Sequence, residues 1–221
     1  VILVGGDVVP GPMPESCFNA ITEAGIPARW IRGNGDVGVV ETARGAPPAQ
    51  VPEAFHPVMQ WVAERTSAGR LEEMAGWPLS LSLPVDGIGD VLFCHATPRN
   101  EDEIVTVNTP DISLHDAFGG VVADVVVCGH THMPFDRLVN GIRVVNAGSV
   151  GMPFGDTAAQ WLALGRDGVR PHRVEYDLND AVERITATGY PIPMDLANPP
   201  DAAAMLASFD KPAQGAPVHE A

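Results

Sequence analysis

Two histidines in the second half of the chain stand where a strand is expected to end. Val125–Cys128 is a continuous apolar run, and Gly129-His130-Thr131-His132 follows it directly. The carboxyl end of a buried strand is a rigid place to hold a ligand, and imidazole is the commonest protein ligand for divalent transition metals. The pair therefore indicates a metal site, although one His-x-His motif carries little weight without further ligands nearby.

Three other polar residues stand in the same position relative to an apolar run. They are Asp7 after Val1–Val4, Asn34 after Ile26–Ile31 and His95 after Val91–Cys94. Singly, each has an ordinary explanation as a turn aspartate, a left-handed turn asparagine or a core histidine. The carboxyl ends of strands in an open α/β sheet meet at one edge. We therefore expect Asp7, Asn34, His95, His130 and His132 to converge there.

The predicted ligands are one carboxylate, one amide oxygen and three imidazoles. Mixed oxygen and nitrogen sites of this kind suit Mn, Fe, Zn, Ni or Co, whereas Ca prefers oxygen ligands and structural zinc prefers thiolates. A carboxylate can also bridge two cations that lie roughly 3.5–4 Å apart. The set could therefore hold two divalent metal ions.

Strand-like and helical segments alternate along the first part of the chain, which predicts an α/β fold. Helices are predicted over residues 15–24, 53–67, 71–77, 113–118, 179–188 and 201–209. Asn140-Gly141 lies between two short apolar segments and predicts a β-hairpin. We expect one domain over residues 1–190, followed by a Pro/Ala-rich extension over 191–221 that carries one short helix and is partly mobile.

The charge balance narrows the classes of partner. Asp and Glu number 28 against 13 Lys and Arg, so the formal net charge is -15. This charge repels duplex nucleic acid and anionic membranes, which leaves a small molecule as the expected partner and the oligomeric state open. Three cysteines, two of them in strand-like runs, favour the reducing cytoplasm over a disulfide framework, and no apolar run is long enough to span a membrane.

The motifs Gly6-Asp7, Gly33-Asn34, His95 and Gly129–His132 resemble four of the five signature motifs of the calcineurin-like metallophosphoesterases. The resemblance extends over about residues 1–176. It implies a two-sheet β-sandwich flanked by helices, in four layers α/β/β/α. It also implies a dinuclear metal centre that hydrolyses a phosphomonoester or phosphodiester, with water activated by the metals as nucleophile.

The same resemblance assigns a role to each ligand. Asp7 would bridge the two metals, Asn34, His95 and His130 would bind one of them, and His132 would bind the other. The family's first motif, Asp-x-His, is absent. We expect it one strand and one helix before Val1, because the chain starts on Val and inside an apolar run.

A second departure lies directly after Asn34. Many members of the family carry a histidine there, which helps the leaving group to depart, whereas this chain has Gly35 followed by Asp36. The change favours substrates with good leaving groups, such as activated phosphodiesters. Asp36 is expected either to orient the site or to cap a helix.

Asn34 and Arg99 are the two residues expected to contact the substrate. The amide of Asn34 can bind a metal through its oxygen and offer an N–H to a phosphate oxygen. Arg99, four residues after His95, could bind phosphate in a bidentate manner or could be an ordinary surface arginine.

Two alternatives to a dinuclear phosphoesterase stay open. One is a non-catalytic or single-metal module, because the first motif is missing. The other is a serine hydrolase with Ser149 in Ala147–Gly151, Asp156 or Asp167, and His172. The second is disfavoured because a nucleophile elbow needs a helix directly after the serine, and Met152-Pro153 follows here instead.

Overall fold

The computed structural model describes residues 1–46 and 51–210. The α-helices in these ranges are α1 (Pro14–Thr22), α2 (Asn34–Ala43), α3 (His56–Ala63), α4 (Ala68–Ala75), α5 (Asp111–Ala117), α6 (Leu178–Ala187) and α7 (Ala202–Phe209). A single 3₁₀ turn, Glu53–Phe55, precedes α3. None of the helices described is both long and apolar enough to cross a membrane.

The strands form one large and two small sheets. They are β1 (Ile2–Val4), β2 (Ala28–Trp30), β3 (Ser80–Val85), β4 (Gly89–Cys94), β5 (Val125–Cys128), β6 (Phe135–Val139), β7 (Ile142–Asn146), β8 (Ala159–Gly165) and β9 (Gly168–Val174). The five-stranded sheet has the order β3-β4-β5-β7-β6, with β4, β5 and β7 parallel to one another. β1 pairs with β2 in parallel, and β8 with β9 as an antiparallel hairpin.

Apolar side chains pack on both faces of the five-stranded sheet. On one face, Leu3 and Ile31 from the β1-β2 region and Leu162 from β8 contact a cluster around Val127. On the other face, Phe118 at the end of α5 packs among side chains of β5, β6 and β7. The five-stranded sheet is therefore covered by strands on one side and by a helix on the other.

Helices α1 to α4 share a separate apolar cluster beside β2. Its aromatic centre is formed by Phe18, Trp30 and Trp77, and Trp30 stacks on Trp77 with ring centroids 5.2 Å apart. Trp30 contacts these helices while its neighbour Ile31 contacts the large sheet, as the alternation of side chains along extended backbone requires. This cluster fixes the region where β2 ends and α2 begins.

The mixed α/β class is confirmed, and the four-layer sandwich stays a prediction. The Asn140-Gly141 hairpin is present as β6 and β7, with both turn residues at positive φ. The helix predicted over residues 53–67 is instead the 3₁₀ turn and α3, and α4 begins three residues earlier than predicted. The end of the predicted C-terminal extension, residues 211–221, lies outside the described residues.

Candidate metal centre

The polar residues selected from the sequence all follow strands. Asp7 lies in the loop after β1, and Asn34 is the first residue of α2, four residues after β2 ends. His95 follows β4 directly, and His130 is the second residue after the parallel neighbour β5. The predicted placement at strand ends is therefore present.

Asp7, His95 and His130 come together as a compact group. The distance from His95 Nε2 to Asp7 Oδ2 is 3.2 Å, and the distance from His95 Nε2 to His130 Nδ1 is also 3.2 Å. One ligand atom of each residue lies within 4.8 Å of the other two. Two ligand atoms about 2.1 Å from a tetrahedral cation lie roughly 3.4 Å apart, so this spacing fits a shared metal ion.

A backbone contact fixes which nitrogen of His95 can bind a cation. Nδ1 lies 2.7 Å from the carbonyl oxygen of Gly5, which is an acceptor, so Nδ1 carries the proton and donates. Nε2 is then the nitrogen that faces Asp7 and His130, and it can bind a cation once the proton that it shares with Asp7 has left. Metal-binding histidines usually donate their other ring nitrogen to a carbonyl or carboxylate in this way.

Asn34 contributes an unpartnered oxygen. Its Oδ1 is buried and has no hydrogen-bond partner among the described residues. A buried carbonyl oxygen without a partner costs about 1–3 kcal/mol. A cation within reach would satisfy it, so the amide oxygen predicted to bind metal is free to act as a ligand.

The charges of the group favour a positive ion at its centre. Burial alone would raise the pKa of Asp7, but the charge and hydrogen bond of His95, with smaller contributions from the Gly35 N–H and His130, together lower it. Burial alone would lower the pKa of His95, but Asp7, helped by the Gly5 carbonyl and the charge of Asp36, raises that pKa to about 9. Burial, with the positive charge of His95, lowers the pKa of His130 to about 4. The proton shared by Asp7 and His95 occupies a place where a cation could bind.

His132 lies beside this group without belonging to it. Its ring packs on Phe154 with centroids 5.0 Å apart, and its buried Nδ1 has no hydrogen-bond partner among residues 1–46 and 51–210. Burial lowers the pKa of His132, so the neutral ring is available as a ligand. The structure therefore separates His132 from the other two histidines, as expected if it serves a different cation.

Asp36 organises the backbone around Asp7. Its buried carboxylate accepts hydrogen bonds from the N–H groups of Asp7 (2.8 Å), Gly33 (2.9 Å) and Val9 (3.2 Å). Burial and then the charge of Asp7 raise the pKa of Asp36 to about 7, partly offset by these hydrogen bonds. The side chain is 1% exposed and cannot touch a substrate, so we interpret Asp36 as a residue that orients Asp7 and the start of α2.

Glycines allow the loop after β1 to cross the start of α2. A Cβ atom on Gly6 would lie 2.6 Å from the nitrogen of Gly33 and 2.7 Å from Nδ1 of His95. A Cβ atom on Gly35 would lie 2.5 Å from the carbonyl oxygen of Val9. The N–H of Gly35 donates to Oδ1 of Asp7 at 2.8 Å, which also holds the two segments together. The crossing therefore leaves no room for a side chain at position 35.

We expect Gly35→Ala to lower the free energy of unfolding by about 1–3 kcal/mol, the usual cost of overpacking. Chemical denaturation of the metal-free protein measures this. Gly69→Ala is the matched control, because a Cβ there meets nothing within 4 Å in the exposed helix α4. That variant should gain roughly 0.5–1 kcal/mol. Equal stabilities for the two variants would show that the crossing is not tight.

Arg99 is engaged by acidic neighbours. Its Nη2 lies 2.6 Å from Glu103 Oε1, and its Nη1 lies 2.8 Å from Asp116 Oδ2. Arg99 and Glu103 line an open cleft together with Asn100 and Asp102, and the Asp102 carbonyl approaches the His130 ring. The cleft adjoins the candidate metal centre. A phosphate-binding role for Arg99 stays a prediction and requires exchange of its carboxylate partners.

Ser149 lacks the setting of a nucleophile. Its Oγ accepts a hydrogen bond from the N–H of Met152 at 3.0 Å. The carboxylate of Asp156 is held by Arg173, and the ring of His172 stacks on Trp161 at the surface. We found no hydrogen bond between Ser149 and a histidine among the described residues.

We therefore expect Ser149→Ala to keep hydrolysis of a phosphoester within about twofold of wild type, because its hydroxyl forms one modest hydrogen bond. Steady-state kinetics with saturating Mn²⁺ measures this. A loss of a hundredfold or more with metal affinity unchanged would instead support the serine mechanism.

The C-terminal helix α7 packs beside His132. Phe209 lies 6.3 Å from Phe154, measured between ring centroids, and Phe154 is the residue that packs on His132. The carboxylate of Asp210 accepts a hydrogen bond from Asn108 at 3.0 Å, in the loop that follows His95. The predicted helix of the extension therefore packs against the loop that carries Phe154 and the loop that carries Asn108. No local pattern in the sequence of the helix predicts these contacts.

Comparison with known proteins agrees with the motifs. The model of the calcineurin-like phosphoesterase superfamily domain matches residues 1–165. A hypothetical protein from Pyrococcus horikoshii has a TM-score of 0.71 at 19% identity, with 86% of this chain and 80% of that chain covered. A metallophosphoesterase from Sphaerobacter thermophilus has a TM-score of 0.63 at 22% identity, with 93% and 86% covered. At such identities these structures show a similar fold alone. No curated protein matches the sequence significantly.

Proposed function

Since the chain belongs to the calcineurin-like phosphoesterase superfamily, we propose that it hydrolyses a small phosphomonoester or phosphodiester with the help of divalent metal ions. The observation that carries this proposal is the convergence of one ligand atom each of Asp7, His95 and His130 within 4.8 Å of one another. Three acceptor atoms at this spacing repel one another unless a proton or a cation lies between them.

The proposed centre holds two divalent cations, chosen from Mn, Fe, Zn, Ni and Co. Asp7, Asn34, His95 and His130 would hold the first cation, and Asp7 together with His132 would hold the second. The mixed oxygen and nitrogen donors support this choice of metals. The unpartnered Asn34 Oδ1 and His132 Nδ1 support the inclusion of both residues.

When bound, such cations lower the pKa of water toward 7 and offset the charge of phosphoryl oxygens. Asp7 supplies the negative charge that attracts the cations, and the Gly35 N–H holds its carboxylate in place. Asn34 would hold a cation through its Oδ1 and would offer its amide N–H to a phosphate oxygen. The N-terminus of α2, which starts at Asn34, adds a partial positive charge beside that residue.

The absence of a side chain at Gly35 defines the preferred leaving group. A leaving group that needs a proton receives none from position 35, so esters of acidic alcohols and phenols are preferred substrates. Arg99 exchanges a carboxylate partner for a phosphate oxygen as the substrate enters the adjoining cleft.

The remaining expectations follow from charge and packing. The net charge of -15 supports a small-molecule substrate over duplex nucleic acid or an anionic membrane. Cys94 and Cys128 are buried free thiols, which supports the reducing cytoplasm as the place of action. The contacts of β1-β2 and β8-β9 with one face of the large sheet support the two-sheet, four-layer sandwich.

The test is hydrolysis of bis(p-nitrophenyl) phosphate and p-nitrophenyl phosphate by chelator-treated protein, with and without Mn²⁺. We expect turnover only with metal, and loss of it in His130→Ala. His115→Ala is the matched control, because His115 is exposed on α5. Mn²⁺ binding without turnover of either ester would favour the non-catalytic module over the proposed enzyme.

A further inference from the structure

The turn that carries His130 and His132 has an unfavourable backbone. His130 has a φ of 63° and His132 a φ of 58°, both in the left-handed region. Non-glycine residues rarely adopt this region, and they persist there only when the surrounding structure imposes it. Two such residues in one short turn therefore require contacts that hold the turn from outside.

Asn146 provides the first of these contacts. It ends β7 and pairs in register with Cys128 of β5, so it stands beside the start of the turn. Its Nδ2 donates to the carbonyl oxygen of Gly129 at 2.6 Å and to Oγ1 of Thr131 at 3.2 Å. Its Oδ1 accepts from the N–H of Gly148 at 2.8 Å. The side chain is 1% exposed, so no water competes for these hydrogen bonds.

Thr131 extends the same network across the site. Its Oγ1 donates to the carbonyl oxygen of Val105 at 3.1 Å, in the loop that follows His95. Thr131 is also 1% exposed. Hydrogen bonds thus run from the end of β7 through the turn to the loop beyond His95. They hold the backbone on both sides of His130.

We propose that Asn146 and Thr131 are positioning residues that fix the turn in the shape in which His130 binds the cation. The hydrogen bonds of both side chains go to atoms other than the His130 ring, so both act through the backbone of Gly129 and Thr131. The inference rests on the proposed metal binding and goes beyond it, because it assigns metal affinity to residues that are not ligands. Residues that orient a metal ligand typically affect metal affinity by 10–100-fold.

The experiment is calorimetric titration of Mn²⁺ into metal-free protein, with thermal unfolding measured in parallel. Asn146→Asp keeps the size of the side chain but removes the N–H donor, and it places negative charge against the Gly129 carbonyl. Thr131→Val keeps the volume and removes the hydroxyl, whereas Thr131→Ser keeps the hydroxyl. We expect about 10–100-fold weaker binding in the first two variants and recovery in the third.

Thr66→Val is the matched control. Thr66 is buried and donates through Oγ1 to the carbonyl oxygen of Val62 at 2.9 Å, at the end of α3 and away from the turn. This variant should change the unfolding temperature and leave the affinity for Mn²⁺ unchanged. If Asn146→Asp does not fold, Thr131→Val alone decides the question.

Wild-type affinity in folded Asn146→Asp and Thr131→Val would overturn the positioning role while leaving the metal site intact. Equal loss of affinity in Thr66→Val would also overturn it, since any buried hydrogen bond would then have the same effect. Failure of the wild-type protein to bind Mn²⁺ would overturn the proposed metal site, and this inference with it.

Discussion

Asp7→Asn is expected to abolish metal binding and phosphoester turnover while the protein stays folded. Asparagine keeps the shape of the side chain and can still accept the hydrogen bond from the Gly35 N–H. It removes the negative charge, which is the charge that His95 now faces at 3.2 Å. Residues that only orient a ligand change metal affinity by 10–100-fold, so removal of the charged ligand should exceed about a hundredfold. Titration with Mn²⁺ and steady-state kinetics measure both effects.

Asp124→Asn is the matched control for Asp7→Asn. The Asp124 carboxylate also accepts a backbone N–H, from Asp90 at 2.8 Å, but it lies just before β5 starts, at the opposite end of that strand from His130. This variant should keep the affinity and turnover of the wild type. If Asp7→Asn also retained turnover near the wild-type value, the bridging role of Asp7 would be wrong.

Asp36→Ala is expected to lower the free energy of unfolding by roughly 3–5 kcal/mol. Removal of the carboxylate leaves the N–H groups of Asp7, Gly33 and Val9 without an acceptor. Each unsatisfied buried donor costs about 1–3 kcal/mol. The variant also loses the desolvation cost of the buried carboxyl group, and this offsets part of the destabilisation. Equilibrium denaturation of the metal-free protein measures the difference.

Asp201→Ala serves as the comparison for Asp36→Ala. The Asp201 side chain caps α7 at the surface by accepting the N–H of Ala204 at 2.9 Å. Its loss should cost about 1 kcal/mol, as for other helix caps. If Asp36→Ala lowered the free energy of unfolding by no more than Asp201→Ala does, the three hydrogen bonds of Asp36 would not organise the site. If Asp36→Ala does not fold, Asp36→Asn, which keeps one acceptor oxygen, is measured in its place.

The placement of the ligands could be predicted because each signal is local. An apolar run that stops just before a polar residue identifies a strand end, and strand ends meet at one edge of a parallel sheet. Asp7, Asn34, His95 and His130 do follow strands. The single sheet edge expected for them was wrong, because Asp7 and Asn34 follow the two-stranded sheet, whereas His95 and His130 follow the five-stranded sheet. The Asn140-Gly141 hairpin was predictable for the same reason, because its two residues alone specify the turn.

Helix α2 could not be predicted from its own residues. Two glycines and three valines in ten positions oppose a helix, and its first turn is held by the loop after β1 through Asp36. One of the two partners of Arg99 was likewise hidden, because Asp116 lies 17 residues away in α5. The contact between Phe209 and Phe154 joins segments that are further apart still. These features depend on tertiary contacts that no local pattern records.

Anomalous diffraction from crystals soaked in Mn²⁺ tests the metal centre most directly. The account predicts an anomalous peak about 2.0–2.3 Å from Asp7 Oδ2, His95 Nε2, His130 Nδ1 and Asn34 Oδ1. A second peak beside His132 would support the dinuclear centre. No peak within the group of Asp7, His95 and His130, in crystals of protein that hydrolyses phosphoesters, would contradict the central claim.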